Sequence, residues 1–164
     1  MDRLGIIDWG IGGVSIYKLI KEQLGTVPVT YFSDTGVTPY GKMPRTELAA
    51  RLNCVIQFLK EKGVTHLVIG CNAASTAIGD LPDHEIQVEG VIEPAVAMTA
   101  TLKPKKLGLI GGRRTVVSGV YRRAFTELSQ SGRRRERPAA GDVPGKCKRA
   151  RRANPAQLRA HFGR

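Results

Sequence analysis

No stretch of this 164-residue chain reaches the roughly 18 consecutive apolar residues that a membrane-spanning helix needs. The segment Met1-Asp2-Arg3-Leu4 lacks the basic-then-apolar layout of a secretory leader. The expected setting is therefore cytoplasmic, with no membrane partner. Cysteine is scarce, and Cys54, Cys71 and Cys147 show no C-x-x-C or other ligand spacing. They read as free thiols in a reducing compartment, with no metal site. Nucleotide signatures are missing too. Gly10-x-Gly12-Gly13 follows a strand-like run, but Ser15 stands where G-x-G-x-x-G requires its last glycine, and no P-loop lysine occurs.

Acidic residues are few, and the deficit is local. Residues 1–130 hold 15 Lys+Arg and 12 Asp+Glu, a net charge of +3, whereas residues 131–164 hold 11 and 2, a net of +9. Arg, Ala, Gly and Pro supply 22 of those last 34 residues. With Val143, Leu158 and Phe162 as its only large apolar residues, this tail cannot offset its chain entropy and is expected to be disordered. A short marginal helix over 155–162 is the exception. Its composition is what GC-rich codons yield when read out of frame, an origin that the gene sequence would test. The expected organisation is one domain over 1–130 and a basic tail over 131–164.

Within the domain, short apolar runs alternate with helical spacing. Leu4–Asp8 reads as a strand, Val14–Leu24 as a helix and Pro28–Phe32 as a second strand. Arg45–Lys62 reads as a long helix with Leu48, Leu52, Val55, Ile56 and Leu59 on one face, which leaves Cys54 as an expected core residue. His66–Gly70, Gln87–Val91 and Lys106–Ile110 are the third, fourth and fifth strands. Helices are expected after Cys71, from Glu93-Pro94 through Leu102, and from Thr115 to Ser129. This alternation predicts an α/β domain, a parallel sheet of about five strands with helices on both faces. Right-handed crossovers gather the strand C-termini on one edge, where open α/β sheets bind ligands. Asp8, Ser33, Cys71, the loop around Glu93 and Thr115 all fall there.

Cys71 carries the most chemistry. A thiol between a strand end and a helix start feels backbone N–H groups and the positive helix terminus, both of which favour thiolate. Asn72 offers an amide to a carboxylate or amine, and Asp8 reaches the same edge. A thiolate, an amide and an acid on a glycine-rich rim suit binding a small amino acid and moving its Cα proton. The plainer reading is a buried, inert cysteine packed as a small hydrophobe.

Six separated motifs add a resemblance. They are Asp8-x-Gly10-x-Gly12-Gly13-x-Ser15, Tyr31-Phe32-x-Asp34-Thr35, Pro39-Tyr40-Gly41, Cys71-Asn72-x-Ala74-Ser75, Val91-Ile92-Glu93-Pro94 and Thr115-x-x-Ser118-x-x-Tyr121. In order and spacing, residues 4 to about 130 resemble glutamate racemases of the aspartate/glutamate racemase family. The resemblance implies cofactor-independent interconversion of L- and D-glutamate for peptidoglycan. Two cysteines from two similar domains would act on opposite faces of Cα. It implies that Cys71 is the first of these and that Asp8 assists the thiol and the substrate amine. Tyr40 and Gly41 would shape the carboxylate end, Asn72 would hydrogen-bond substrate, and Thr115 would hold a carboxylate near its helix start. Glu93 matches a family position in either a binding or a loop-anchoring role.

Three features depart from that pattern. Trp9 stands where the family usually has Ser, and Ala73 where it usually has Thr. Each change removes a hydroxyl from the substrate-binding positions 9 and 73, a loss of about 1.5–3 kcal/mol where the hydroxyl would meet a charged group. The preference between glutamate and aspartate is therefore open. The second domain and its cysteine have no counterpart, and Cys147 in Lys146-Cys147-Lys148 is no substitute. An impaired enzyme is expected, and pairing of two copies would bring two Cys71 together. The rival readings are a non-catalytic remnant, or a protein whose basic tail adheres non-specifically to nucleic acid. Phe162 alone offers no aromatic interleaving for base stacking.

Overall fold

The computed structural model describes residues 2–135, with side chains described through residue 129. Most of the basic tail, Cys147 and the segment 155–162 lie outside the described residues.

Four parallel strands form the sheet: β1 (Leu4–Asp8), β2 (Val29–Ser33), β3 (His66–Ile69) and β4 (Gln87–Gly90). Their order is β2-β1-β3-β4, with Leu4 opposite both Val29 and His66. The helices are α1 (Val14–Leu24), α2 (Arg45–Glu61), α3 (Asn72–Ser75), α4 (Ile92–Thr101), α5 (Arg113–Val117) and α6 (Val120–Arg135). A 3-10 turn, Ile78–Asp80, follows α3.

The order fixes the chain's direction across the sheet. β1 passes to β2 on one side, and β3 passes to β4 on the other. With right-handed crossovers, α1 then covers one face and α2 the opposite face. The alternation within β1 agrees. Ile7 belongs to the main core with Leu48, Leu52, Val55, Ile56 and Leu59 of α2 and with Leu67 and Ile69 of β3. Ile6 points the other way, against Gly13 and Gly70. The α2 face is well packed, because its apolar stripe recurs at helical spacing and every stripe residue is buried. The α1 face is thin, since α1 has no fully buried residue. β1 and β3 lie side by side with crossovers leaving in opposite directions, so the crevice above their C-terminal ends is the topological switch point.

Three sequence expectations fail here. Lys106–Ile110 is not a strand. The described sheet ends at β4, and Leu107, Leu109 and Ile110 are exposed, Ile110 at 99%. The chain enters this segment through Lys103 at φ 48° and Pro104, which has no N–H to donate. An apolar run becomes a strand only where a sheet edge and a covering layer bury it. The helix expected over Thr115–Ser129 is two helices, because Gly119 at φ 68° ends the first, as left-handed glycines do at helix C-termini. The second, α6, runs from Val120 to Arg135. Cys54 is exposed rather than core, because it falls off the stripe that α2 buries.

Among the described residues, no helix is long and apolar enough to cross a membrane.

Candidate active site at the β1/β3 switch point

Asp8 ends β1, and Cys71 follows β3 on the adjacent strand. Backbone hydrogen bonds fix this edge from both sides: Gly70 N–H donates to the Ile7 carbonyl at 2.8 Å, and Asp34 N–H to the Asp8 carbonyl at 2.8 Å. The backbones meet closely. A Cβ on Gly70 would sit 3.2 Å from the Gly13 Cα, so the turn after β1 and the end of β3 need glycine where they touch.

Asp8 is buried, and both its oxygens are occupied. Oδ1 accepts the Trp9 N–H at 2.8 Å, and Oδ2 accepts the Gly13 N–H at 2.8 Å and the Tyr31 hydroxyl at 3.4 Å. The carboxylate thus organises the β1–α1 turn as well as lying near the thiol. Its charge adds to burial in pushing the Tyr31 phenol up.

Cys71 is half-buried at the start of α3, where the nearby backbone N–H groups of Ala74, Ala73 and Trp9 favour the thiolate. The helix expected to favour thiolate is a single turn of four residues, too short for a large macrodipole. Burial is the strongest influence and pushes the thiol up. The Ala74 N–H opposes it, the Asp8 charge adds to it, and the Ala73 and Trp9 N–H groups oppose both. The net direction is upward, which corrects the expectation of a thiolate in the free protein.

The opposite wall is the loop of residues 34–44. Trp9 Nε1 donates to the Val37 carbonyl at 2.9 Å, latching the loop to the β1–α1 turn and using the indole's only donor. The Tyr40 side chain is buried, its hydroxyl donating to Asp34 Oδ2 at 2.7 Å. Arg51 of α2 holds Asp34 with two bonds, Nε to Oδ2 at 2.8 Å and Nη2 to Oδ1 at 2.6 Å. What position 40 presents to the rim is therefore its backbone. Gly41 is exposed, and a Cβ built on it would lie 4.0 Å from the Ala73 Cβ, so loop and α3 meet there.

The third wall comes from α5 and α6. Thr115 is buried on α5, which packs against α3. Arg114 Nε donates to the Tyr40 carbonyl at 3.0 Å. The Tyr121 hydroxyl donates to Asn72 Oδ1 at 2.6 Å, and burial, with the charge of the exposed Glu93, pushes the Tyr121 phenol up.

The rim thus gathers Asp8, Trp9, Gly41, Cys71, Asn72, Ala73 and Thr115, with Tyr40 contributing main chain. Sequence reasoning missed Tyr31, Arg114 and the Asp34–Arg51 pair. Asp34, Tyr31 and Tyr121 stood in the motifs without a partner being legible. Arg114 stood in none of them. A hollow of about 1220 Å³ lies elsewhere, between α4 and α6 along residues 103–109, and holds none of Asp8, Cys71, Asn72 or Thr115. Among the described residues no group of His, Cys, Asp and Glu is placed to hold a metal.

A family profile described as Asp/Glu/Hydantoin racemase matches residues 4–162. Glutamate racemase of Aquifex aeolicus is 38% identical over 126 residues, covering 75% of this chain and 50% of that protein. The structure of glutamate racemase from Aquifex pyrophilus superposes with TM-score 0.73 at 37% identity, covering 76% of this chain and 51% of that one. Glutamate racemase from Francisella tularensis, solved in complex with D-glutamate, gives TM-score 0.72 at 26% identity, covering 79% and 49%. The chain spans about half the length of the relatives it matches.

Proposed function

The chain belongs to the Asp/Glu/Hydantoin racemase family, and from that premise we propose that its site handles the Cα proton of an acidic amino acid, with glutamate as substrate. In this reading the protein is an amino-acid isomerase that needs no cofactor. It acts in the cytoplasm, on the route that supplies D-glutamate to peptidoglycan and so to cell-wall growth and cell shape.

One observation carries the reading: Cys71 and Asp8 occupy neighbouring strand ends at the switch point. Cys71 is the base for one face of Cα. Asp8, with its oxygens fixed by Trp9 and Gly13, offers the negative charge that attracts the substrate ammonium. That ammonium in turn lowers the cost of forming thiolate beside Asp8. Asn72, the Gly41 backbone and Thr115 complete the binding surface, and Trp9 and Ala73 line it with apolar area.

Stereoinversion needs a proton removed from one face and returned to the other. Cys71 supplies one face. Exchange of the Cα hydrogen with solvent on that face needs no second base.

Incubation with L- or D-glutamate in D2O, followed by proton NMR and chiral separation, tests the reading. The expected result is deuterium at Cα of at least one enantiomer, lost in Cys71→Ser. No exchange with glutamate or aspartate would leave a non-catalytic relative of the family.

A further inference from the structure

We propose that Arg114 binds a carboxylate of the amino-acid substrate, an assignment that rests on the acidic-substrate reading above and adds to it the group that recognises the acid. An acidic amino acid brings two carboxylates and one ammonium. Asp8 complements the ammonium, so the site needs cationic charge for the rest, and few cations are candidates. Three ion pairs occur among the described residues, and they engage Arg45, Arg51 and Lys60. Arg51, beside the loop wall, is committed to Asp34.

Arg114 differs from all of these. It is half-buried at the start of α5, and no carboxylate of the described residues lies against it. Its Nε is anchored on the Tyr40 carbonyl at 3.0 Å, across 74 residues of sequence. The anchor sets the guanidinium beside the Tyr40-Gly41 backbone. Gly41 in turn stands against Ala73, two residues from Cys71. Using Nε alone leaves the two terminal nitrogens with their donors unspent, and that pair matches the two oxygens of a carboxylate. Anchoring also lowers the ordering cost of the long side chain before a ligand arrives. Arg113, its neighbour, is exposed and has no such anchor.

Trp9 is the only tryptophan in the chain and borders the site, so its fluorescence reports binding in the intact protein. Glutamate, glutarate, glutamine and isoglutamine are titrated into the wild-type chain, Arg114→Gln, Arg114→Lys and Arg113→Gln. Glutarate keeps both carboxylates but has no ammonium, and each amide removes one carboxylate. Arg114→Gln is expected to weaken glutamate and glutarate about tenfold or more. It leaves the affinity of one of the two amides unchanged, and that amide identifies the carboxylate concerned. Arg114→Lys keeps part of the affinity, and Arg113→Gln keeps all of it.

Equal binding of glutamate and glutarate by wild type and Arg114→Gln overturns the proposal. So does an equal loss of all four ligands, which would mean that Arg114 only shapes the loop, and so does a wild-type chain that binds neither diacid. If Arg114→Gln lowers the melting temperature, Arg114→Lys decides: diacid binding above that of Arg114→Gln supports the proposal, and none overturns it. The racemase reading fails separately. Arg114-dependent glutarate binding without Cα exchange would keep the carboxylate site and discard the proton chemistry.

Discussion

Cys71 feels opposing influences at close range. Burial and the Asp8 carboxylate hold the proton on the sulfur, while the N–H groups of Ala74, Ala73 and Trp9 favour its loss. Because the Asp8 contribution is a charge effect, removing the charge moves the thiol downward. Ultraviolet thiolate absorbance against pH, on a background with both Cys54→Ser and Cys147→Ser, is expected to show Asp8→Asn titrating at lower pH than the parent. An unchanged midpoint would mean that the two side chains do not communicate. The sequence was enough to put both residues at this edge, since a residue just past a parallel strand can lie only at the C-terminal end of the sheet. The sign of the thiol's shift was not legible, because burial depends on how the loop of residues 34–44 closes over α3. Tyr40 shows the same limit. Its position beside the site followed from the motif, whereas its hydroxyl is spent on Asp34, a contact decided by folding.

At the scale of elements, the loop of residues 34–44 is held at three points: by Trp9 through Val37, by Arg51 through Asp34, and by Arg114 through Tyr40. The Asp34 link makes a pH-dependent contribution. Hydrogen bonds from Arg51, then from the Tyr40 hydroxyl, hold the Asp34 carboxyl below its ordinary value against the opposing effect of burial. The native state therefore binds this proton less readily than the unfolded chain. Its stabilisation is fully present above the ordinary carboxylate range and is lost as pH falls through the depressed native value. Asp34→Asn is expected to cost about 2–3 kcal/mol at neutral pH, less than a fully buried pair because Arg51 is partly exposed and regains water. Urea unfolding of parent and variant from neutral to acid pH checks this, and a gap that does not narrow in acid contradicts it. The long helix α2 was legible from its apolar stripe, and so were the four strands. The break between α5 and α6 was not, because a single glycine in a helical pattern is compatible with either outcome until its φ is known.

Over the whole molecule, topology explains why these few residues meet. The β2-β1-β3-β4 order sets β1 beside β3, with His66 opposite Leu4, although α1, β2 and α2 all intervene along the chain. Their diverging crossovers open the edge where Asp8 and Cys71 stand. The alternating pattern was enough to predict this edge, but not the sheet's width. Leu107–Ile110 has a strand's composition, yet it lies exposed beyond β4, and composition does not record whether an edge and a cover are available. The central claim is that a bound acidic amino acid touches the Cys71 sulfur. Iodoacetamide labelling of the intact chain, read by peptide mass spectrometry with and without glutamate, tests it most directly, because the exposed Cys54 serves as an internal control. The account predicts that glutamate slows labelling of Cys71 saturably and leaves Cys54 unaffected. Equal labelling of Cys71 with and without glutamate would contradict it.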